Sequence, residues 1–394
     1  MIPQAALAVA SLSVLVWNGV QGSRAPAVRA SGLSLPVVEE PAVPVVMPTL
    51  RVELPTQTVV LPSGEEADFG AHEVWKPICT GAQAVRPADL QRMVALHQVL
   101  SQEPGIVIDS SISLLNGFNI VFVASGSVPA GAAAALAASE TYIESFYSDP
   151  ITITINISFQ PLGPGVLGGT SSSYGFVNYS PMRAQIVGDM DASDTLQTSL
   201  PAGTTCPVRY GSGPTVTNET RVFTTFANWK ALDGTVAGAD ANMTFSTNFA
   251  FDYDPSNGVV STSYSFQDVV IHEVGHAMGF TSGIDFRSAD METLDLYRFQ
   301  RTDGNSDYNP DTLAEFTARP RLLAFNSPND AHNSDLISAE YRMSDGSPNQ
   351  GSHFREQSPN IGLMDPTIGA GQSFYPAFYS TADLAMFDVI GYDR

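Results

Sequence analysis

The sequence predicts an α+β fold built around a mixed, twisted sheet, and three stretches carry this expectation. Residues 151–159 read ITITINISF and alternate apolar with polar side chains, which is the pattern of a half-buried strand. The alanine-rich stretch before them, residues 130–147, has the composition of a helix. Residues 269–278 are apolar apart from a glycine, two histidines and a glutamate, which indicates a buried helix.

Other predicted elements fill the chain between these stretches. A β-branched run at residues 119–124 predicts a strand, so strand, helix and strand follow one another as a β-α-β unit. Residues 163–175 are rich in glycine and serine and predict a loop at the rim of a cleft. Residues 184–187 and 242–251 predict further strands. Ser380 and Asp383 form a capping box, which predicts a last helix that ends before Gly391.

Three segments are expected along the chain. Residues 1–25 are predicted to be a secretory signal peptide, because they are largely apolar and too short for a comfortable membrane span. Residues 26–115 are predicted to be a linker or propeptide, since their prolines are spaced too closely for a helix or a central strand. A short helix is expected within this segment at residues 87–100. Residues 116–394 are expected to form the packed domain.

Composition restricts the classes of partner. The chain has 18 basic and 40 acidic residues, a net charge of −22, and only two of the basic residues are lysines. Such a chain is not expected to bind nucleic acid or an anionic membrane through a basic surface. The two cysteines, Cys79 and Cys206, are too few for a disulfide scaffold. In an exported protein they are expected to form one bridge, and free thiols remain the alternative.

The run His272-Glu273-Val274-Gly275-His276 gives the strongest functional indication. Residues four apart on a helix share a face, so both imidazoles reach one metal ion while Glu273 reaches a water bound to it. A serine cap at Ser265 and a glycine stop at Gly279 bound the predicted helix. The pattern therefore predicts a zinc site that hydrolyses its substrate, with Glu273 as the general base.

Residues 272–280, HEVGHAMGF, resemble the zinc helix of the metzincin metallopeptidases, H-E-x-x-H-x-x-G-x-x-H. Ser282 stands where that pattern carries its third histidine. His353 lies far downstream, with Met364 eleven residues after it, and this arrangement is similar to leishmanolysin-type metzincins. The resemblance implies that His353 is the third ligand and that Met364 forms the methionine turn beneath the metal. It also implies a two-lobed catalytic domain, cleavage of peptide bonds in proteins or peptides, and a zymogen.

The sequence leaves other candidates open for the third metal ligand and for the function. Glu292 would be the third ligand in another class of zinc hydrolase, and Asp285 would suit a short loop that closes back on the ion. His332 lies among turn-forming residues and is expected to face solvent. A secreted binding protein that keeps the zinc site without turnover is a further alternative. Cys79 is an alternative zinc ligand in a latent precursor, by analogy with related families.

Calcium is a second candidate cofactor, in a structural role. Three segments carry closely spaced acidic residues, at positions 189–194, 252–258 and 303–307. Alternating oxygen ligands suit a hard cation, but none of the segments completes an EF-hand loop. Solvated turns are the expected structure of these segments.

Overall fold

The computed structural model describes residues 51–52, 57–60, 66–69, 73–79, 106–108, 117–192, 194–211, 213–286, 291–300, 310, 312–323, 331–333, 341–346 and 349–394. The predicted signal peptide and the predicted helix at 87–100 lie outside the described residues. Within the described part of the chain, helices and mixed sheets combine, as the α+β prediction requires.

In chain order the strands are β1 (Arg51–Val52), β2 (Gln57–Val60), β3 (Glu66–Phe69), β4 (Glu73–Cys79), β5 (Ile106–Ile108), β6 (Asn119–Ala124), β7 (Thr152–Gln160), β8 (Val166–Ser172), β9 (Tyr174–Asn178), β10 (Cys206–Tyr210), β11 (Thr217–Glu219), β12 (Arg221–Thr225), β13 (Ala241–Ser246), β14 (Phe251–Asp252), β15 (Tyr264–Ser265), β16 (Arg298–Gln300), β17 (Arg321–Leu323), β18 (Ala331–Asn333) and β19 (Arg342–Met343). The α-helices are α1 (Ala132–Glu144), α2 (Tyr179–Asp189), α3 (Phe226–Ala231), α4 (Phe266–Ala277), α5 (Leu313–Ala318) and α6 (Thr381–Val389).

A seven-stranded sheet in the order β1-β4-β8-β13-β7-β6-β5 forms the main frame. The strands β6, β7 and β13 run parallel, and β8 pairs antiparallel with β13. Helix α1 connects β6 to β7, so the predicted β-α-β unit is confirmed. The alternation in β7 buries one side-chain row completely: Ile153, Ile155 and Ile157.

Two further sheets pair residues that are distant in sequence. One has the order β11-β10-β17-β16-β18-β19 and the other β12-β9-β3-β2. Strands β14 and β15 form a short parallel pair immediately before α4. Helix α4 packs against β8 and α1, and all twelve of its residues are buried.

The predicted boundaries of the two capped helices are confirmed. Helix α4 begins after Ser265, whose side chain accepts a hydrogen bond from the backbone N–H of Asp268. Gly279 follows its end with φ of 110°, a conformation that favours glycine. Helix α6 begins after Ser380, which forms the predicted capping box with Asp383. Gly391 follows with φ of 102°.

The prediction of a loop at residues 163–175 is wrong, because β8 and the start of β9 occupy most of that stretch. The small residues of β8 have a packing role. A Cβ atom built on Gly168 would lie 3.0 Å from Val269 Cγ1 and 3.4 Å from Glu273 Oε1. Glycine therefore permits the close approach of the sheet to α4, and this requirement is not visible in the local sequence.

The strand predicted at residues 184–187 is also wrong, since these residues belong to α2. Three of the four residues that α2 buries, Tyr179, Met182 and Ile186, follow one helical face at spacings of three and four. A four-residue window is too short to separate this helical period from a buried strand.

The predicted bridge between the two cysteines is not formed, because Cys206 is a free, buried cysteine. Cys206 lies in β10 of the six-stranded sheet, whereas Cys79 ends β4 of the seven-stranded sheet. Burial raises the pKa of the Cys206 thiol, which keeps it protonated and unreactive at neutral pH.

The described strands of the 26–115 segment join the sheets formed by later residues. Strand β3 pairs with β9, and β4 pairs with β8 over residues 74–79. Strands β1 and β2 lie at sheet edges, where neighbouring prolines are tolerated. The domain boundary at residue 116 stays a prediction. Among the described residues, no helix has the length and apolar character needed to cross a bilayer.

Candidate metal centre

Three buried histidines converge on one point. His272 and His276 lie one turn apart on α4, and His353 comes from an irregular segment after β19. The Nε2 atoms of His272 and His276 are 3.1 Å apart. His353 Nε2 lies 3.3 Å from His272 Nε2 and 3.2 Å from His276 Nε2. The structure thus brings together the three histidines that the sequence selected as ligands.

Hydrogen bonds on the far side of two rings fix which nitrogen faces the centre. His272 Nδ1 lies 2.7 Å from the carbonyl oxygen of Leu363, and His276 Nδ1 lies 2.8 Å from that of Phe280. A carbonyl only accepts, so each Nδ1 carries the proton and each Nε2 presents a lone pair. Lone pairs that face one another in a buried site repel, and a metal ion or a proton between them would relieve that repulsion.

The spacing of the nitrogens fits a small tetrahedral metal ion. Imidazole nitrogens bind zinc at about 2.0–2.1 Å, so two such ligands in tetrahedral geometry are separated by about 3.3–3.4 Å. The three observed separations of 3.1, 3.2 and 3.3 Å lie close to that range. Burial lowers the pKa of His272 to about 4, so this imidazole is neutral and available as a ligand at physiological pH.

Within the described part of the chain, this triad is the one group of three or more His, Cys, Asp or Glu side chains close enough to share a metal ion. The alternative ligands Glu292 and Asp285 do not belong to it. His332 lies in β18, where it pairs with Phe299 of β16. The described residues of the acidic segments 189–194 and 252–258 form no such group, and residues 303–307 lie outside the described part of the chain.

Glu273 is fully buried beside the triad. Its Oε2 accepts a hydrogen bond of 2.6 Å from the Thr170 hydroxyl, and its Oε1 accepts one of 3.2 Å from the backbone N–H of Ile78. Burial raises the pKa of Glu273 to about 8, and these two hydrogen bonds oppose the increase. A cation held by the adjacent histidines would lower that pKa and favour the carboxylate.

The contact between Ile78 and Glu273 depends on the geometry of two paired strands. Ile78 of β4 pairs with Gly168 of β8, and a β-bulge follows because Cys79 pairs with Val166. Gly168 has no side chain to block Glu273, so the carboxylate reaches the backbone of β4. A segment from the predicted propeptide region therefore contacts the predicted general base.

The predicted methionine turn packs directly against α4. The backbone N–H groups of Leu363 and Met364 donate to the two carboxylate oxygens of Asp383, at 2.8 and 3.0 Å. The Leu363 carbonyl accepts from His272, so one turn joins α6 to a candidate metal ligand. Met364 is fully buried. Its side chain lies against Gly275, the residue of α4 that stands between His272 and His276 in the sequence.

Replacement of Gly275 tests this packing. A Cβ atom at position 275 would lie 2.5 Å from Met364 Sδ, so the turn or the helix must move. We expect Gly275→Ala to lower the free energy of unfolding by about 1–3 kcal/mol, despite the higher helix propensity of alanine. Gly188→Ala in α2 is the matched control, since a Cβ there meets nothing within 4 Å. Urea unfolding of both variants should separate them, and equal stability would contradict the close contact with Met364.

Several residues around the centre were not predicted as functional. Thr170 lies in the stretch that was predicted to be a loop, and it donates to Glu273. Asp383 was predicted as a helix cap, but its second role in holding Met364 has no local sequence signal. Asp285 was considered as a ligand, and instead its carboxylate accepts hydrogen bonds from the backbone before His353.

Comparisons with protein-family models, with curated proteins and with solved structures find no match to this chain.

Proposed function

We propose that this protein is a zinc-dependent endopeptidase of the leishmanolysin-like metzincin type. The convergence of three buried imidazoles beside a buried glutamate carries the proposal. A donor set of three neutral nitrogens suits zinc better than calcium or magnesium, which prefer oxygen ligands. His272, His276 and His353 would hold the ion and leave a coordination position open for the reaction.

Each residue of the proposed site has its own role in peptide hydrolysis. Zinc, when bound, lowers the pKa of a water molecule and polarises the carbonyl group of a substrate. Glu273 takes a proton from the attacking water and delivers it to the amine that leaves as the peptide bond breaks. Thr170 orients the Glu273 carboxylate through its hydroxyl.

The proposed family rests on motif order and on element order. Strands β6, β7, β8 and β13 precede α4, and then follow His353, Met364 and α6. This sequence of parts is similar to a metzincin catalytic domain with two lobes and a substrate cleft between them. We propose that the protein is secreted, because of the apolar amino-terminal segment and four Asn-x-Ser/Thr sequons.

A protease assay on an unfolded protein substrate tests the proposal. The full-length chain and the same chain after limited proteolysis should be assayed with a phenanthroline chelator and with its non-chelating isomer. We expect hydrolysis that only the chelator abolishes and that added zinc restores. Bound zinc without any hydrolysis, before or after processing, would favour the alternative of a binding protein that keeps the site.

We further propose that the full-length chain is a latent precursor in which β4 covers the catalytic centre. The observation behind it is the Ile78 N–H group, which donates to the carboxylate of Glu273. A carboxylate engaged in this way by a backbone amide is a poorer base for water. Strand β4 also pairs with β8 along residues 74–79, and it contacts α4.

Peptides that carry the β4 sequence distinguish the source of latency. A peptide of residues 70–82 should inhibit the processed enzyme, and N-methylation at Ile78 should weaken inhibition about tenfold or more, because one hydrogen bond to a charged group is lost. The same peptide with Cys79→Ser should inhibit equally well. Loss of inhibition in the serine peptide alone would instead support a Cys79 thiolate as the latent ligand. Equal activity of the full-length and processed chains would contradict latency.

A further inference from the structure

His353 reaches the metal centre from an irregular segment, unlike the two histidines of α4. It lies 77 residues after His276, and residues 351–354 form neither a helix nor a named strand. A functional metal site needs its ligands held within about 0.5 Å of their working positions. The segment before His353 therefore requires contacts that replace the rigidity of a helix.

Asp285 supplies the most direct of these contacts. Its carboxylate accepts hydrogen bonds from the backbone N–H groups of Gly351 and Ser352, at 2.5 and 3.2 Å. It also accepts a short hydrogen bond from the Ser352 hydroxyl. Asp285 is buried in the 3-10 turn Gly283–Phe286, eight residues after the end of α4 at Ala277. The turn after the metal-binding helix thus holds the two residues that precede the third histidine.

Ser282 and Arg298 extend the same connection. The backbone N–H of Ser282 donates to Ser352 Oγ at 2.9 Å. The buried guanidinium of Arg298 donates to Ser282 Oγ at 2.7 Å and to the carbonyl oxygen of Gly351 at 3.0 Å. It also donates to the Ser344 carbonyl at 2.7 Å, and the Ser344 N–H donates to the His353 carbonyl at 2.9 Å. These hydrogen bonds hold the backbone at Gly351, before His353, and at the carbonyl group of His353 itself.

The hydrogen bonds of Asp285, Ser352, Ser282 and Arg298 form one network, which also includes the charged side chain of Asp295 and a close steric contact. Asp295 lies 3.6 Å from Arg298, and both side chains are completely buried. Asp295 also accepts from the Ser282 hydroxyl and from the Gly283 N–H, at 2.7 and 2.8 Å. A Cβ atom built on Gly351 would lie 1.7 Å from Ile284 Cγ2, so the turn and the His353 segment are in direct contact.

We propose that Asp285 is a positioning residue for the metal centre, acting through the Gly351-Ser352 backbone on His353. The inference rests on the proposed zinc site and adds a role to it. Ser282 occupies the place where the short metzincin pattern carries a histidine, and here it anchors the segment that supplies the replacement. Asp285 acts on the metal indirectly, since it is not a member of the ligand group.

Metal affinity and metal geometry, measured on the full chain, test the proposal. Asp285→Asn replaces one accepting oxygen by an amide group that donates, and Ser352→Ala removes the hydroxyl between Asp285 and Ser282. We expect both variants to bind zinc about 10- to 100-fold more weakly than the wild type, in competition with a chromophoric chelator. We also expect the visible spectrum of the cobalt-substituted protein to change, because the spectrum reports how the three nitrogens are arranged.

Asp240→Asn is the matched control for a loss of stability alone. Asp240 is also buried and accepts from the backbone N–H of Thr154 and from Lys230, both at 2.7 Å, and neither partner belongs to the Asp285 network. This variant should lower the urea midpoint of the metal-free protein and leave the zinc affinity and cobalt spectrum unchanged. Wild-type affinity and spectrum in both Asp285→Asn and Ser352→Ala would overturn the positioning role. Changes no larger than those of Asp240→Asn would overturn it as well. If the wild-type chain bound neither zinc nor cobalt, that result would contradict the proposed function itself.

Discussion

Glu273→Gln should retain zinc and the fold but lose hydrolytic activity by about 10²- to 10⁴-fold or more. General-base assistance contributes an effect of this size, and the ligand group found among the described residues contains no carboxylate that could replace Glu273. The substitution preserves shape, and the amide oxygen can still accept the Ile78 hydrogen bond that Oε1 accepts now. The measurement is kcat on an unfolded protein substrate, with zinc per chain determined on the same sample.

Glu144→Gln provides the control for a buried glutamate outside the centre. Glu144 ends α1, is 6 % exposed and accepts a 2.7 Å hydrogen bond from the backbone N–H of Ile120. Its replacement should leave kcat close to the wild-type value. Turnover above about a tenth of wild type in Glu273→Gln would exclude Glu273 as the general base.

His353→Ala should lose zinc and abolish hydrolysis. Without His353 the ion keeps two imidazoles from α4, and a catalytic zinc site ordinarily has three protein ligands. Because metal affinity follows ligand number, dialysis against a mild chelator should leave the variant largely zinc-free. Zinc per chain and residual activity are the two measurements.

Two companion variants decide between the candidate third ligands. His332→Ala alters a histidine of β18 outside the ligand group, and it should change neither zinc content nor activity. Glu292→Ala removes a buried carboxylate that is also outside the group, and the folded fraction of this variant should retain zinc. Loss of zinc from Glu292→Ala together with retention in His353→Ala would support the other class of zinc hydrolase.

The elements with strong local signals were predictable from the sequence. The ends of α4 and α6 follow from Ser265, Gly279, Ser380 and Gly391, since caps and left-handed stops act within a few residues. The long alternating run of β7 was equally clear. Two histidines on one helix face also require only local geometry, so His272 and His276 could be paired without a structure.

The features that the sequence did not predict correctly depend on contacts between residues that are distant in the chain. Gly168 lies in a strand that pairs with β4 and β13, and glycine is needed there because α4 passes close to it, whereas local composition alone favours a loop. Cys206 and Cys79 lie in different sheets, which their separation in sequence does not reveal. The role of Asp285 requires knowledge that the chain returns to it at Ser352, 67 residues later. His353 was selected only because a motif resemblance supplied the long-range information.

In the proposed site, three imidazoles hold one zinc ion beside Glu273. Zinc X-ray absorption of the full chain, loaded with one equivalent of metal, measures this arrangement itself. We expect tight uptake and three imidazole nitrogens at about 2.0–2.1 Å, with the signal of one imidazole absent in any metal-loaded His353→Ala. Failure to bind zinc, or a wild-type spectrum with two imidazoles and a carboxylate, would contradict it.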